Sequence, residues 1–336
     1  IKKFADMQKK NAGEFYTPRE IVKMMVSLLE PKPGETVYDP ACGTGGMLIE
    51  AVRQMDNSKL AYGKLYGQEK NLSTSAIARM NLYLHGAKDF RIAQGDTLRE
   101  PAFLAGNTLR SFDCVLANPP FSLKNWGSAE FSSDPWGRNI WGVPTDKSAD
   151  FAWVQHMVCS MDEKSGRCAV VLPQGALFHG GKEGAIRKEL LKSDKVEAVI
   201  SLASGVFYST GVSACVLFLR NDKPPAHRGR VCIIDGTEIF TAQRAQNMIT
   251  EENAQEMLSL YQSYEPVVEK CAIATLDDIE REGYVLSANN YVERRREEIE
   301  PPAETRKRFY DLLRQTRKSE EKLLELLSKG GYVDGE

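Results

Sequence analysis

From Thr17 to about Asp235, short apolar runs alternate with stretches whose apolar residues recur every three or four positions. Two periods in alternation predict strands that cross over through helices, hence an α/β domain with a mostly parallel sheet. The first helix is expected to start at Thr17-Pro18, with Thr17 as N-cap and Pro18 at the first helical position, where its missing N–H costs nothing. Ile21, Met24, Met25, Leu28 and Leu29 form its apolar stripe, and Pro31 and Pro33-Gly34 end it. Runs at 36–38, 64–67, 90–93, 112–117, 167–172, 196–202, 213–219 and 230–234 read as strands, and helices are expected around 46–56, 72–85, 150–163 and 182–191. In the helix over 72–85, Ala76, Ile77, Met80, Tyr83 and Leu84 repeat at helical spacing.

The stretch from Ser122 to Asp150, with Trp126, Trp136 and Trp141, fits neither period. A loop of that length inside a domain is usually functional or mobile. After Asp235 the texture changes: a helix over 251–264, a short turn or helix at 276–279, and a strongly charged helix from Pro301-Pro302 to about Ser328. Ten basic and nine acidic side chains between Glu293 and Glu325 nearly balance. Phe309, Leu313, Thr316, Leu323 and Leu327 share one side, as in a free-standing amphipathic helix or one strand of a coiled coil. The expected organisation is a lead-in segment, 1–16, a catalytic α/β domain, 17–295, and a C-terminal helical extension for partner assembly, 296–336.

Composition narrows the class. Hydrophobic residues make up 42% of the 336, enough for a sizeable core, yet no run of about eighteen apolar residues suggests a membrane span. The start, Ile1-Lys2-Lys3-Phe4, is not a signal peptide and lacks Met, so further residues are expected upstream. A net charge of -2 does not suit a protein that coats nucleic acid by bulk charge. Seven cysteines without a C-x-x-C pair argue against a disulfide framework and a zinc site. They read as buried small hydrophobes of a reduced, cytoplasmic protein. No His, Cys and acid cluster has ligand spacing, so no metal is expected.

Candidate chemistry concentrates at strand ends. Asp39-Pro40-Ala41-Cys42-Gly43-Thr44-Gly45-Gly46 follows the first strand as a Gly-rich turn that lets a ligand approach the backbone. It lacks the Gly-Lys-Ser/Thr ending of a P-loop. Asp39 would repel a pyrophosphate but welcome a cation, as in S-adenosylmethionine (SAM), which carries an ammonium and a sulfonium. Glu69, at the end of the second strand, is placed for ribose hydroxyls, and Asp96, after the third, for an adenine edge; a surface acid and an ordinary turn are the plainer alternatives. Asn118-Pro119-Pro120-Phe121 follows the fourth strand. The prolines remove two N–H donors, Asn118 adds an acceptor, and Phe121 offers a stacking face, a combination suited to an exocyclic amino group on a planar base.

These motifs together resemble the SAM-dependent amino-methyltransferases acting on adenine N6 of DNA. With Glu14-Phe15-Tyr16-Thr17-Pro18-Arg19 ahead of the Gly turn, the chain is similar to the modification (M) subunit of type I restriction-modification systems over roughly residues 11 to 295, including Asp150-Phe151-Ala152-Trp153 and the 286–292 stretch. The resemblance implies a Rossmann-like SAM-dependent methyltransferase fold with a seven- to eight-stranded, mostly parallel sheet flanked by helices. It implies S-adenosyl-L-methionine held by Glu14, Phe15, Tyr16, Thr17, Pro18, Arg19, Asp39, Ala41, Gly43, Thr44, Gly45, Gly46, Glu69, Asp96 and Asn118, and a target adenine held by Asn118, Pro119, Pro120 and Phe121. The implied partners are double-stranded DNA and a specificity subunit shared by two methyltransferase chains, with room for a restriction (nuclease/translocase) subunit. His156 and His179 are not needed as catalysts and read as structural or surface histidines. Two other classes stay open: a methyltransferase acting on a protein glutamine amide, and a SAM-binding scaffold without turnover.

Overall fold

A computed structural model describes residues 17–55, 64–87, 89–207, 212–243, 246–295 and 302–332; the lead-in segment 1–16 lies outside the described residues. Nine strands form one sheet: β1 (Val37–Asp39), β2 (Leu65–Glu69), β3 (Phe90–Gln94), β4 (Cys114–Ala117), β5 (Arg167–Pro173), β6 (Val196–Leu202), β7 (Ala214–Arg220), β8 (Arg230–Gly236) and β9 (Cys271–Thr275). Their order across the sheet is β3-β2-β1-β4-β5-β7-β6-β8-β9. β7 runs antiparallel to both neighbours and β9 antiparallel to β8; the other pairs are parallel.

The helices are α1 (Arg19–Leu29), α2 (Gly46–Gln54), α3 (Leu72–Leu84), α4 (Ser128–Ser132), α5 (Asp150–Cys159), α6 (Gly181–Lys192), α7 (Glu251–Ser263), α8 (Leu276–Arg281) and α9 (Pro302–Lys329). Strand side chains alternate between two cores, as the pleat requires. Val37, Leu65 and Leu116 join α1, α2, α3 and α7 on one face, while Tyr38, Val115 and Ala117 join α5, α6 and α8 on the other. Residues through Glu293 form one compact unit, and those from Arg294 onward a second that contains α9. Along α9, Phe309, Leu312, Leu323, Leu324 and Leu326 are exposed, and Arg314–Asp311 and Lys329–Glu325 pair along the helix surface.

Two expectations are corrected. The sheet has a ninth strand, β9, beyond the eight runs expected. It is a five-residue edge strand with a mixed burial pattern, so it lacks the continuous apolar run of its buried neighbours. Thr17 does not cap α1: Pro18 occupies the N-cap in an extended conformation and no side chain caps the helix. The apolar repeat of α3 marks its outer face: Met80, Tyr83 and Leu84 are 59%, 69% and 67% exposed, whereas Ser75, Ala78, Asn81 and Leu82 are buried. Apart from Leu82, small and polar residues take the inward face, where the helix packs closely on the Gly turn. A Cβ on Gly45 would lie 3.6 Å from Ala78.

The stretch from Ser122 to Asp150, which fits neither period in the sequence, is ordered. It encloses α4 and a small core of its own, in which Leu98, Trp126, Phe131, Ala149, Ala152 and Trp153 pack together. Arg138, 1% exposed, fastens it to the domain. Its guanidinium pairs with Asp134 at 2.6 Å and donates to the carbonyls of Thr97 (2.9 Å) and Leu98 (2.8 Å).

Candidate active site

The candidate residues gather where β1, β2, β3 and β4 end, the edge at which open α/β sheets bind ligands. Asp39 closes β1 and is 2% exposed, and its Oδ1 accepts the Ala41 N–H at 3.0 Å. Burial, reinforced by the charge of Glu69, pushes the Asp39 carboxyl up to about 8 against the favourable Ala41 bond. The Gly turn follows. Gly43 and Gly45 have φ of 51° and 82°, a left-handed backbone that side chains resist, and Gly45 caps α2. A Cβ on Gly43 or Gly46 would meet nothing within 4 Å, so the turn borders open space.

Glu69 ties this turn to β2. Its Oε2 accepts the Gly43 N–H at 3.0 Å and its Oε1 the Asn71 N–H at 2.7 Å. Both oxygens are thereby oriented, and each retains acceptor capacity for a hydroxyl. Asp96 lies beyond β3, paired with Lys70 at 2.9 Å, and its Oδ1 accepts the Leu98 N–H. The neighbouring Thr97 hydroxyl donates to the Pro40 carbonyl at 2.6 Å, which joins the Asp96 segment to the Gly turn. A buried carboxylate for a cation, a second for a diol and open space over bare glycines fit SAM.

After β4, Asn118 is half-buried, Pro119 buried, Pro120 exposed and Phe121 half-buried. The Asn118 Nδ2 donates to Thr17 Oγ1 at 2.8 Å, across 101 positions of sequence. Thr17 thus fixes the amide through its nitrogen end. Phe121 meets Phe207 edge-on, with ring centroids 6.0 Å apart. Of the segment expected over the cofactor, Thr17 reaches the acceptor motif, Pro18 is half-buried and Arg19 exposed at the start of α1. Glu14, Phe15 and Tyr16 lie outside the described residues.

His156 is buried between Tyr38, whose hydroxyl lies 3.1 Å from Nε2, and Arg138. Burial first, and then Arg138, hold its pKa well below the usual value, so it is neutral and structural. The expectation for Cys42, Cys114, Cys168, Cys215, Cys232 and Cys271 as buried thiols agrees with the structure; Cys159 is half-buried. Among the described residues no group of His, Cys, Asp or Glu is arranged to hold a metal ion, and no helix is long and apolar enough to cross a membrane.

Sequence reading missed the supports of the site. The Asn81 Nδ2 donates to the Thr44 carbonyl at 3.0 Å and steadies the Gly turn. Gln68, 1% exposed, braces β2 against the segment after β3 through Glu100 and Ala102. Gly67 is required because a Cβ there would lie 2.7 Å from Ile92 and 2.9 Å from the Cys42 sulfur. A Gly inside a strand run was the one available signal, since it marks close backbone approach.

The model of N-6 DNA methylases matches residues 1–300. The type I restriction enzyme MjaVII methylase subunit of Methanocaldococcus jannaschii is 34% identical over 98% of this chain and 57% of its own length. A solved type I restriction-modification methyltransferase subunit from Streptococcus thermophilus is 32% identical, with a TM-score of 0.78 over 86% of this chain and 62% of that one. A chain solved in a study of the complex assembly of a type I restriction-modification system is 25% identical, with a TM-score of 0.71 over 99% of this chain and 70% of its own. The chain spans little more than half the length of the MjaVII relative it matches. With the methyltransferase fold shared and the match running through most of its residues, the chain belongs to the N-6 DNA methylase family.

Proposed function

We propose that the protein transfers a methyl group from SAM to the N6 amino group of adenine in double-stranded DNA, as the modification subunit of a type I restriction-modification system. The observation that carries the reading is the Asn118-Pro119-Pro120-Phe121 motif at the end of β4, with the Asn118 amide fastened through its nitrogen to Thr17. Asn118 Oδ1 and the Pro119 carbonyl accept the two N–H bonds of a flipped adenine, and Phe121 stacks on its ring. Two acceptors on one amine draw its lone pair out of conjugation and aim it. The proton leaves only after transfer, so no strong base is needed. Asp39 takes the cofactor's ammonium, the turn from Ala41 through Gly46 its backbone, Glu69 the ribose and Asp96 the adenine. When bound, the cofactor supplies an electrophilic methyl group.

DNA is addressed by a specificity subunit shared by two such chains, with room for a restriction subunit, and α9 is an assembly element. The name of the MjaVII relative, a subunit, and a related chain solved in a study of type I complex assembly support a multi-subunit organisation. The test is a labelled-methyl assay on the full-length protein with its specificity partner, offering unmethylated duplex DNA and a glutamine-bearing protein substrate in parallel. Label is expected on adenine N6. Label on protein, or on neither, overturns the reading.

A further inference from the structure

Just beyond Phe121 a second recess opens. A cavity of about 600 Å3 is lined by residues that include Ser122, Thr145, Asp150, Gln174, Phe178 and Glu183; Asn118, Pro119 and Phe121 are not among them. Its walls are tied together by hydrogen bonds. The Ser122 N–H donates to Asp150 Oδ1 at 2.8 Å. Glu183 Oε1 accepts from both the Thr145 N–H (3.2 Å) and its hydroxyl (2.6 Å). These two contacts tie down both sides of the long stretch after Phe121.

Another wall is the turn after β5, and a buried cation clamps it. Arg187, 3% exposed, donates to the carbonyls of Ala176 (3.1 Å), His179 (2.8 Å) and Tyr284 (2.7 Å). The Leu286 N–H donates to the Leu177 carbonyl at 2.9 Å. These contacts bracket Phe178, which is 48% exposed and meets the His179 ring edge-on at 5.0 Å. The fold therefore holds a large aromatic ring partly in solvent on a fixed backbone. A ring so held loses little conformational freedom when it binds.

The chemistry of the lining selects the ligand. Two carboxylates, Asp150 and Glu183, stand against one ammonium, Lys147, so a phosphate is disfavoured and N–H donors are welcome. A flat apolar face beside acceptors suits a nucleobase edge that carries N–H groups. Extruding the target adenine unstacks the bases beside it. We infer that this cavity is a second nucleobase subsite, in which Phe178 stacks on a base displaced beside the target adenine and Arg187 positions Phe178. The inference rests on the DNA reading above.

The test uses the full-length protein with its specificity partner and duplexes carrying 2-aminopurine next to the target adenine. Phe178→Ala should lower kcat/KM for DNA by about five- to a hundredfold, through weaker DNA binding. SAM affinity and the melting temperature should be unchanged. Phe178→Tyr should keep near-normal kinetics and Phe178→Leu should not. The 2-aminopurine fluorescence should be more quenched in the wild-type complex than with Phe178→Ala. Unaltered DNA kinetics in Phe178→Ala, or full rescue by Phe178→Leu, overturns the subsite while wild-type methylation still stands. A wild-type protein that methylates no DNA overturns the underlying reading and the subsite with it.

Discussion

Asp39 is a carboxyl whose charge depends on what occupies the site. Buried beside Glu69, it holds its proton up to about pH 8. A cationic ligand needs the carboxylate, so binding below that pH expels a proton. An α-amino group itself titrates near about 8, so the clean window lies below about pH 7.5. There SAM affinity should rise with pH, and calorimetry in buffers of different ionisation enthalpy should show proton release that Asp39→Asn abolishes. Affinity flat from pH 6 to 7.5 would count against Asp39 as the ammonium partner. The raised pKa also means that the folded protein keeps a proton which the unfolded chain releases above about pH 4. The Asp39 contribution to the stability of the ligand-free protein therefore falls as pH rises from there to about 8. Asp39, Glu69 and Asn118 were legible because their chemistry sits at strand ends inside local motifs. Asn81, Arg138 and Arg187 were not, because each acts on carbonyls reached only through the fold.

At the scale of elements, α3 separates period from direction. Its apolar repeat is real, yet it lies on the outer face, and the face that packs on the Gly turn is mostly small and polar, so hydrophobicity alone does not orient the helix. Leu82→Ala should cost about 2–5 kcal/mol of stability, as a buried truncation does, whereas Met80→Lys should stay within about 0.5 kcal/mol. Denaturant unfolding of both variants checks this, and equal losses would place Met80 in the core. The buried strands were legible as continuous apolar runs, while β9 was not, because an edge strand has no such run. α9 invites a different experiment. Arg314 pairs with Asp311 and Lys329 with Glu325 along its surface, and the proposed assembly role can be tested by truncation. Ending the chain near Glu300 should leave SAM binding and the melting of the catalytic unit intact and weaken assembly with the specificity subunit. Loss of folding on truncation would assign α9 to the catalytic unit.

For the molecule as a whole, the chemistry and the charge ask for a partner. On the proposed function, methylating one chosen adenine requires an address, yet a net charge of -2 offers little non-specific attraction to DNA. The protein alone should bind duplex DNA weakly and without sequence preference, and the proposed specificity subunit should raise binding and methylation together in gel-shift and methyl-transfer assays. Tight, site-specific methylation by the chain alone would place recognition within it. The central claim is that Asn118, which the resemblance places at both ligands, matters to the target amine far more than to cofactor affinity, and one paired measurement tests it: SAM affinity and methyl transfer to unmethylated duplex DNA, for wild type and Asn118→Ala, each with the specificity subunit. Transfer should be abolished while SAM affinity stays within a few-fold. Near-normal transfer by the variant would contradict the account.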